Sequence, residues 1–369
     1  MNTETILADV ENVRPHLKSG TILLPGTDYT YVGRSDRGLE VSSPGRSALA
    51  SMDGTRTCQE LSQAVGIPLS EIVALVEDLD QANLIDTQRS KISVHARFRS
   101  PNAHRASHDS DDSNDGAFQQ LQAKLLPELS SATWIAHVRD GGVSIINQRR
   151  DWQVGIYGDS RIATLLYGIL LASGISHTSL HASDIHKRIG EEDLCAGFLH
   201  PGDIGLPYAE RTQELSRELS LFPTSHKGEA EASRQVMVAV GNAPADQVQK
   251  WMCDGIPHLL IDSPASASLC IGPIVIPGKT PCSRCITMAR EGQYPAWREF
   301  SIQKLIKPAD EVPVAIAHYV AGLAALELLR FIDEGESQLT GASARINYHR
   351  PILSEERTFT RHPACGCSW

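Results

Sequence analysis

Gln153-Val154-Gly155-Ile156-Tyr157-Gly158-Asp159-Ser160-Arg161-Ile162-Ala163 is the stretch that decides the fold. It reads as a strand running into a turn, followed by a helix over residues 162–172. Working outward, further strands are expected at 178–180, 236–240 and 258–261. Strands that alternate with helices predict an α/β domain with a parallel, Rossmann-like sheet. Ligands of such sheets bind beside the carboxyl ends of the strands, next to the first turn.

That turn departs from a nucleotide loop. G-x-G-x-x-G works because missing side chains let the backbone approach phosphates. Here only Gly158 fits, Asp159 brings negative charge and Ser160 fills the second glycine position. Asp184, in the loop after the second strand, is the candidate ribose acceptor. The expectation is a Rossmann scaffold whose nucleotide site has decayed, with no ATP bound by this chain.

Two cysteine pairs point to a metal. Cys282 and Cys285 lie in Pro281-Cys282-Ser283-Arg284-Cys285, and Cys365 and Cys367 in His362-Pro363-Ala364-Cys365-Gly366-Cys367. Two short knuckles of two thiolates each meet the needs of a closed, tetrahedral, structural Zn2+ site. Cys58, Cys195, Cys253 and Cys270 lack ligand spacing and are expected as small core residues.

The 369 residues carry a net charge of −10, which argues against broad affinity for nucleic acid or anionic membrane. No basic n-region opens the chain, and the apolar run 312–326 falls short of a bilayer span. A soluble, cytoplasmic protein is expected, where paired cysteines serve metals more often than disulfides.

Residues 1–97 form the first expected domain. Short strands at 21–24, 29–33 and 38–42 are separated by turns, and a helix follows near 44–52. Thr57-Cys58-Gln59-Glu60 is a capping box opening the next helix. A third starts near Ser70, with Ile72, Val73, Val76 and Leu79 on one face. Ile85 and Ile92-Ser93-Val94 are the expected arms of a wing hairpin, giving a winged helix-turn-helix pattern. DNA binding is disfavoured, because the would-be recognition helix carries Glu71, Glu77, Asp78 and Asp80 and no Lys or Arg. The alternatives are a winged helix with a purely structural role and peptide binding by strand addition beside a helix groove. Residues 98–116, polar and rich in Ser and Asp, read as a linker in which His104 and His108 are solvated residues. The α/β domain is expected from 117 to 369.

Gly272-Pro273-Ile274-Val275-Ile276-Pro277-Gly278-Lys279-Thr280-Pro281-Cys282-Ser283-Arg284-Cys285, Tyr294-Pro295-Ala296-Trp297 and the terminal His362–Cys367 motif resemble the partner proteins of azoline-forming peptide cyclodehydratases. These are relatives of the ubiquitin-activating and ThiF/MoeB adenylyltransferases, and the resemblance covers most of the chain. It implies a winged-helix recognition element that binds the leader of a ribosomal precursor peptide. A separate YcaO-type enzyme would then use ATP to form thiazoline or oxazoline rings in the core. The leader would add beside Gly38, Leu39, Glu40, Val41 and Ser42 and lie against the helix carrying Ile72, Val73 and Val76. Arg34, Arg37 and Arg46 are candidate contacts for an acidic leader. Where active adenylyltransferases carry Asn-Leu-x-Arg-Gln, this chain has Asp193-Leu194-Cys195-Ala196-Gly197, lacking the Asn and Arg that handle ATP. The resemblance therefore implies a chain with no catalytic residues of its own. The alternatives are an active adenylyltransferase and, third, a winged-helix DNA regulator. Relatives with this sheet commonly dimerise, and the apolar helix 312–332 is a candidate dimer face.

Overall fold

The computed structural model describes residues 12–90, 112–222, 234–241, 244–306, 311–352 and 355–367. Two compact units, Met1–Gln148 and Arg149–Trp369, divide the chain.

In the first unit, β1 (His16–Leu17) precedes a meander of β2 (Ile22–Pro25), β3 (Tyr29–Gly33) and β4 (Gly38–Ser42). The meander forms a three-stranded antiparallel sheet in the order β2-β3-β4. Three helices follow: α1 (Gly45–Ser51), α2 (Cys58–Val65) and α3 (Leu69–Gln81). The capping box of α2 is formed reciprocally by Thr57 and Glu60, and Gly66 ends the helix in the left-handed region. Pro68 precedes the first residue of α3, where a missing N–H costs nothing. Ile72, Val76 and Leu79 of α3 meet Val32 and Val41 of the sheet and Ala48 and Leu49 of α1 in one apolar core. The first expected wing arm, β5 (Ile85–Asp86), pairs with β1, His16 opposite Asp86. Ile92–Val94, His104, His108 and most of the expected linker lie outside the described residues.

α4 (Asp112–Ala132) and α5 (Val143–Arg149) complete the residues before Arg149. The sequence reading places 117–148 with the α/β domain; the structure ties these residues to the first unit instead. The reason is a buried lysine. Lys18, 1% exposed, donates from Nζ to Asn83 Oδ1 (2.6 Å), Thr133 O (2.6 Å) and Val138 O (2.9 Å). All three ammonium protons are used, and the Asp86 carboxylate stands 3.9 Å away. Arg139 adds bonds to Asp80 and Asn83, and its carbonyl accepts from Thr87 and Gln88.

The second unit is a seven-stranded mixed sheet in the order β12-β11-β10-β9-β8-β6-β7. β6 (Trp152–Tyr157), β7 (His177–His181), β8 (Arg234–Val240) and β9 (His258–Ile261) run parallel. β10 (Ser268–Val275), β11 (Ala342–Asn347) and β12 (Glu355–Thr358) are antiparallel, so the expected parallel sheet is only half of it. Gly272-Pro273 shifts the β10 register, since proline has no N–H for the ladder. Val154 and Ile156 face a core shared with α6 (Arg161–Ala172) and α11 (Val314–Glu334), which pack side by side. Among the described residues α11 is the one helix long and apolar enough to cross a membrane. Its buried Ala317, Val320, Ala321, Ala324 and Leu328 make it a core helix here. On the other sheet face, Trp251 of α8 (Ala245–Cys253) packs edge-on against Tyr157.

A buried ion pair sets the entry to β6. Arg149 donates from Nε and Nη2 to Asp333 at the end of α11 (2.9 and 2.7 Å) and from Nη1 to Ser173 O beyond α6 (2.7 Å). Both partners are nearly inaccessible, at 5% and 6% side-chain exposure. Such a pair specifies geometry because removing one partner strands a buried charge.

Replacing Lys18 by Met leaves Thr133 O without a donor, while Arg139 still reaches Asn83 Oδ1 and Val138 O; the expected loss is about 1–3 kcal/mol, checked by urea denaturation. Burial, opposed by Asp86, holds the Lys18 ammonium down at about 8 from 10.5. The unfolded chain therefore binds the proton more tightly between those values, so stability should rise from pH 8 to pH 10.5 in wild type. The Met variant should lack that rise.

Candidate functional site

The four predicted metal ligands converge. Cys282 is the residue before α9 (Ser283–Gln293), and Cys285 lies in its first turn. Cys365 and Cys367 come from the loop after β12, where Gly366 takes a φ of 72°, so the two thiols of this knuckle can face one point. The four Sγ atoms lie within 4.8 Å of one another. Individual separations are 3.8 Å (Cys282–Cys285), 3.5 Å (Cys282–Cys365) and 3.4 Å (Cys285–Cys367). A sulfur tetrahedron around zinc at ~2.3 Å has edges of about 3.8 Å, so the donor set fits that ion. The His362 N–H donates to Cys285 Sγ at 3.3 Å, as backbone amides do to bound thiolates. Val275, Met252, Leu260 and Met288 enclose the cluster in apolar packing. No cysteine is disulfide-bonded, and no fifth position for a substrate is suggested by this closed set. Of the other cysteines, Cys58 and Cys195 are buried as expected. Cys253, at the exposed end of α8, and half-buried Cys270 are not full core residues.

Burial pushes the Cys282 and Cys365 thiols up. Burial acts the same way on Cys285, but the His362 N–H and the Cys367 thiol outweigh it and draw Cys285 down to about 7. Metal must displace these protons.

The predicted peptide-binding strand is an edge. β4 pairs with β3 on one side, and among the described residues nothing pairs with the other. Arg34 N bonds Arg37 O and Ser43 N bonds Asp28 O, which fixes the alternation between these ends. Leu39 and Val41 therefore spend their N–H and C=O groups on β3, while those of Gly38, Glu40 and Ser42 point to the open side. Side chains alternate as well: Val41 is buried and Leu39 half-buried towards the helices, whereas Glu40 and Ser42 are exposed on the opposite face. Gly38 lies against the Tyr31 ring.

Other predicted contacts are placed differently. Ile72, Val73 and Val76 are buried core residues that anchor α3. At the margin of the stripe, Leu75 is half-buried against the same core, its Cδ2 close to Gly45 of α1, where Val41 also packs. Sequence reading passed over it because it flanks the apolar stripe. Arg34 is engaged, paired with Asp36 (2.7 Å) and lying 4.4 Å over the Trp134 ring. Arg37 and Arg46 are exposed.

At the first turn of the second unit, Gly158 has a φ of 139°, and a Cβ there would stand 2.5 Å from Val240 O. This glycine serves strand packing. Ser183 Oγ donates to Asp159 Oδ2 (2.6 Å), and Lys187 Nζ donates to Asp159 O and Asp193 Oδ1 (2.7 Å each). Lys187 also lies 4.9 Å over the Tyr208 ring. Asp184 accepts from His186 N at 2.8 Å and shapes its own loop. Sequence reasoning missed Lys187, which carries no motif around it.

No protein-family model and no curated protein matches this chain. Solved structures do. E. coli MccB with AMPCPP and selenomethionine MccA has a TM-score of 0.61 at 13% identity, covering 96% of this chain and 99% of that one. Microcin C7 biosynthetic enzyme MccB with N-formylated MccA gives 0.61 at 14%, with the same coverage. The heterocyclase TruD gives 0.55 at 13%, covering 96% of this chain and 43% of that one. At such identities the likeness is one of fold.

Replacing Cys365 by Ser should abolish stoichiometric bound metal, identified by elemental analysis, and sharply lower thermal stability. Because ligation needs thiolates, the bound metal should also be released on acidification, with elemental analysis of the desalted protein as the readout.

Proposed function

We propose that this chain binds the leader of a ribosomal precursor peptide along β4. It then delivers the core to a separate YcaO-type enzyme that forms azoline rings with ATP. The observation that carries this reading is the open edge at Gly38, Glu40 and Ser42, whose backbone groups can bond an added strand. The fold shared with MccB, solved with the MccA peptide, and with a heterocyclase supports it. Zinc is structural in this reading, holding the α/β unit. The self-satisfied turn at Asp159, Ser183 and Lys187 supports a chain that does not adenylate.

A second reading, adenylation of a peptide by this chain, is favoured by one observation. The fold is that of MccB, which has been solved with ATP. Pyrophosphate exchange by the purified chain alone discriminates; the expected result is none.

The strand reading is tested with Glu40→Pro. Its N–H points to the open side, so proline removes an edge donor and no β3–β4 bond. The expected outcome is at least a tenfold loss of leader affinity by fluorescence anisotropy without nucleotide, with the melting temperature little changed. Undiminished binding would exclude strand addition at β4. Loss of one water per ring, seen by mass spectrometry, should require the partner enzyme.

A further inference from the structure

The margin of α3 around Leu75 is acidic. With Leu75 directed at Gly45 and Val41, the helical repeat of 100° per residue places Glu71 and Asp78 beside it, one turn before and one turn after. Both are exposed, and neither has an ion pair among the described residues. The other acids of the helix lie elsewhere: Asp80 is paired with Arg139, and Glu77 falls on the far flank. Leu69–Gln81 contains no Lys or Arg. Of the expected basic contacts, Arg34 is engaged with Asp36 and Trp134.

Resting on the strand-addition reading above, we infer that the bound segment is cationic, with an apolar residue between two basic ones in the pattern Lys/Arg-x-apolar-x-Lys/Arg. Side chains on one face of an added strand recur every second residue. An apolar side chain over Leu39, Val41 and Leu75 leaves its neighbours at −2 and +2 facing the same wall. These neighbours are about 13 Å apart. Glu71 and Asp78 are about 10.5 Å apart along the helix axis. The flexible stems of Lys or Arg span that difference. An acidic leader, the expectation from Arg34, Arg37 and Arg46, would set its charges against Glu71 and Asp78. The chain's net charge of −10 adds long-range attraction for a cationic peptide.

The test is selection of random 12-residue peptides by messenger-RNA display on the immobilised full chain at low ionic strength, followed by affinity measurement of the enriched peptides. The expected consensus is the cationic pattern. Exchanging its two basic residues for Glu should weaken binding at least tenfold, and added salt should shrink the difference. On a Glu71→Lys/Asp78→Lys double variant the preference should invert, and on Glu71→Gln/Asp78→Asn it should vanish. Both positions are exposed, and far-UV circular dichroism checks the fold of each variant. An acidic or charge-indifferent consensus that is lost with Glu40→Pro overturns the cationic inference and leaves strand addition standing. No enrichment, or enrichment unaffected by Glu40→Pro, overturns both.

Discussion

Four sulfur atoms set the constraint on which the α/β unit depends. Cys282 and Cys365 are 83 residues apart in sequence and 3.5 Å apart in space. Everything between them, including α11, β11 and β12, is a closed loop once a metal is held. Closing a loop of that length costs several kcal/mol of chain entropy in the absence of a bond. The antiparallel half of the sheet is built from this loop: β10 enters it, and β11 and β12 lie inside it. Arg149 and Asp333 fix the opposite end of the same architecture, where β6 begins and α11 stops.

The elements with local signals were legible in the sequence. The strand-turn-helix at β6 and α6, the capping box at Thr57 and the three-strand meander all appear within a residue or two of expectation. Each is written in neighbouring residues. The ligand quartet was legible for the same reason, since each knuckle is local and only the pairing is distant. What could not be read depends on distant partners. Lys18 looks like an ordinary surface lysine until Thr133 and Val138 bring their carbonyls to it, and that contact moves residues 117–148 into the first unit. The pairing of β5 with β1 was not foreseen, because β1 is two residues long and carries no periodicity.

The family resemblance placed the leader against the helix of Ile72, Val73 and Val76, and these three share the apolar face that a small domain needs for its own core. A groove is made by residues at the margin of that face. Leu75, Glu71 and Asp78 are marginal in this sense, and their chemistry differs from that of the core stripe. The first turn of the second unit shows the related case of charged groups that satisfy each other. Lys187 neutralises Asp193 and holds the Asp159 carbonyl, so the positive charge beside the turn is already committed.

Glu40 has a further consequence. An exposed strand edge is an invitation to any other edge, including that of a second copy of the same protein. Two β4 strands laid together would bring Glu40 against Glu40 and set the acidic wall of each α3 near that of its twin. Like charges directly opposed across strands disfavour the pairing. The edge can thus stay open in a concentrated solution of its own kind, guarded against fibrils by a single glutamate and the helix behind it.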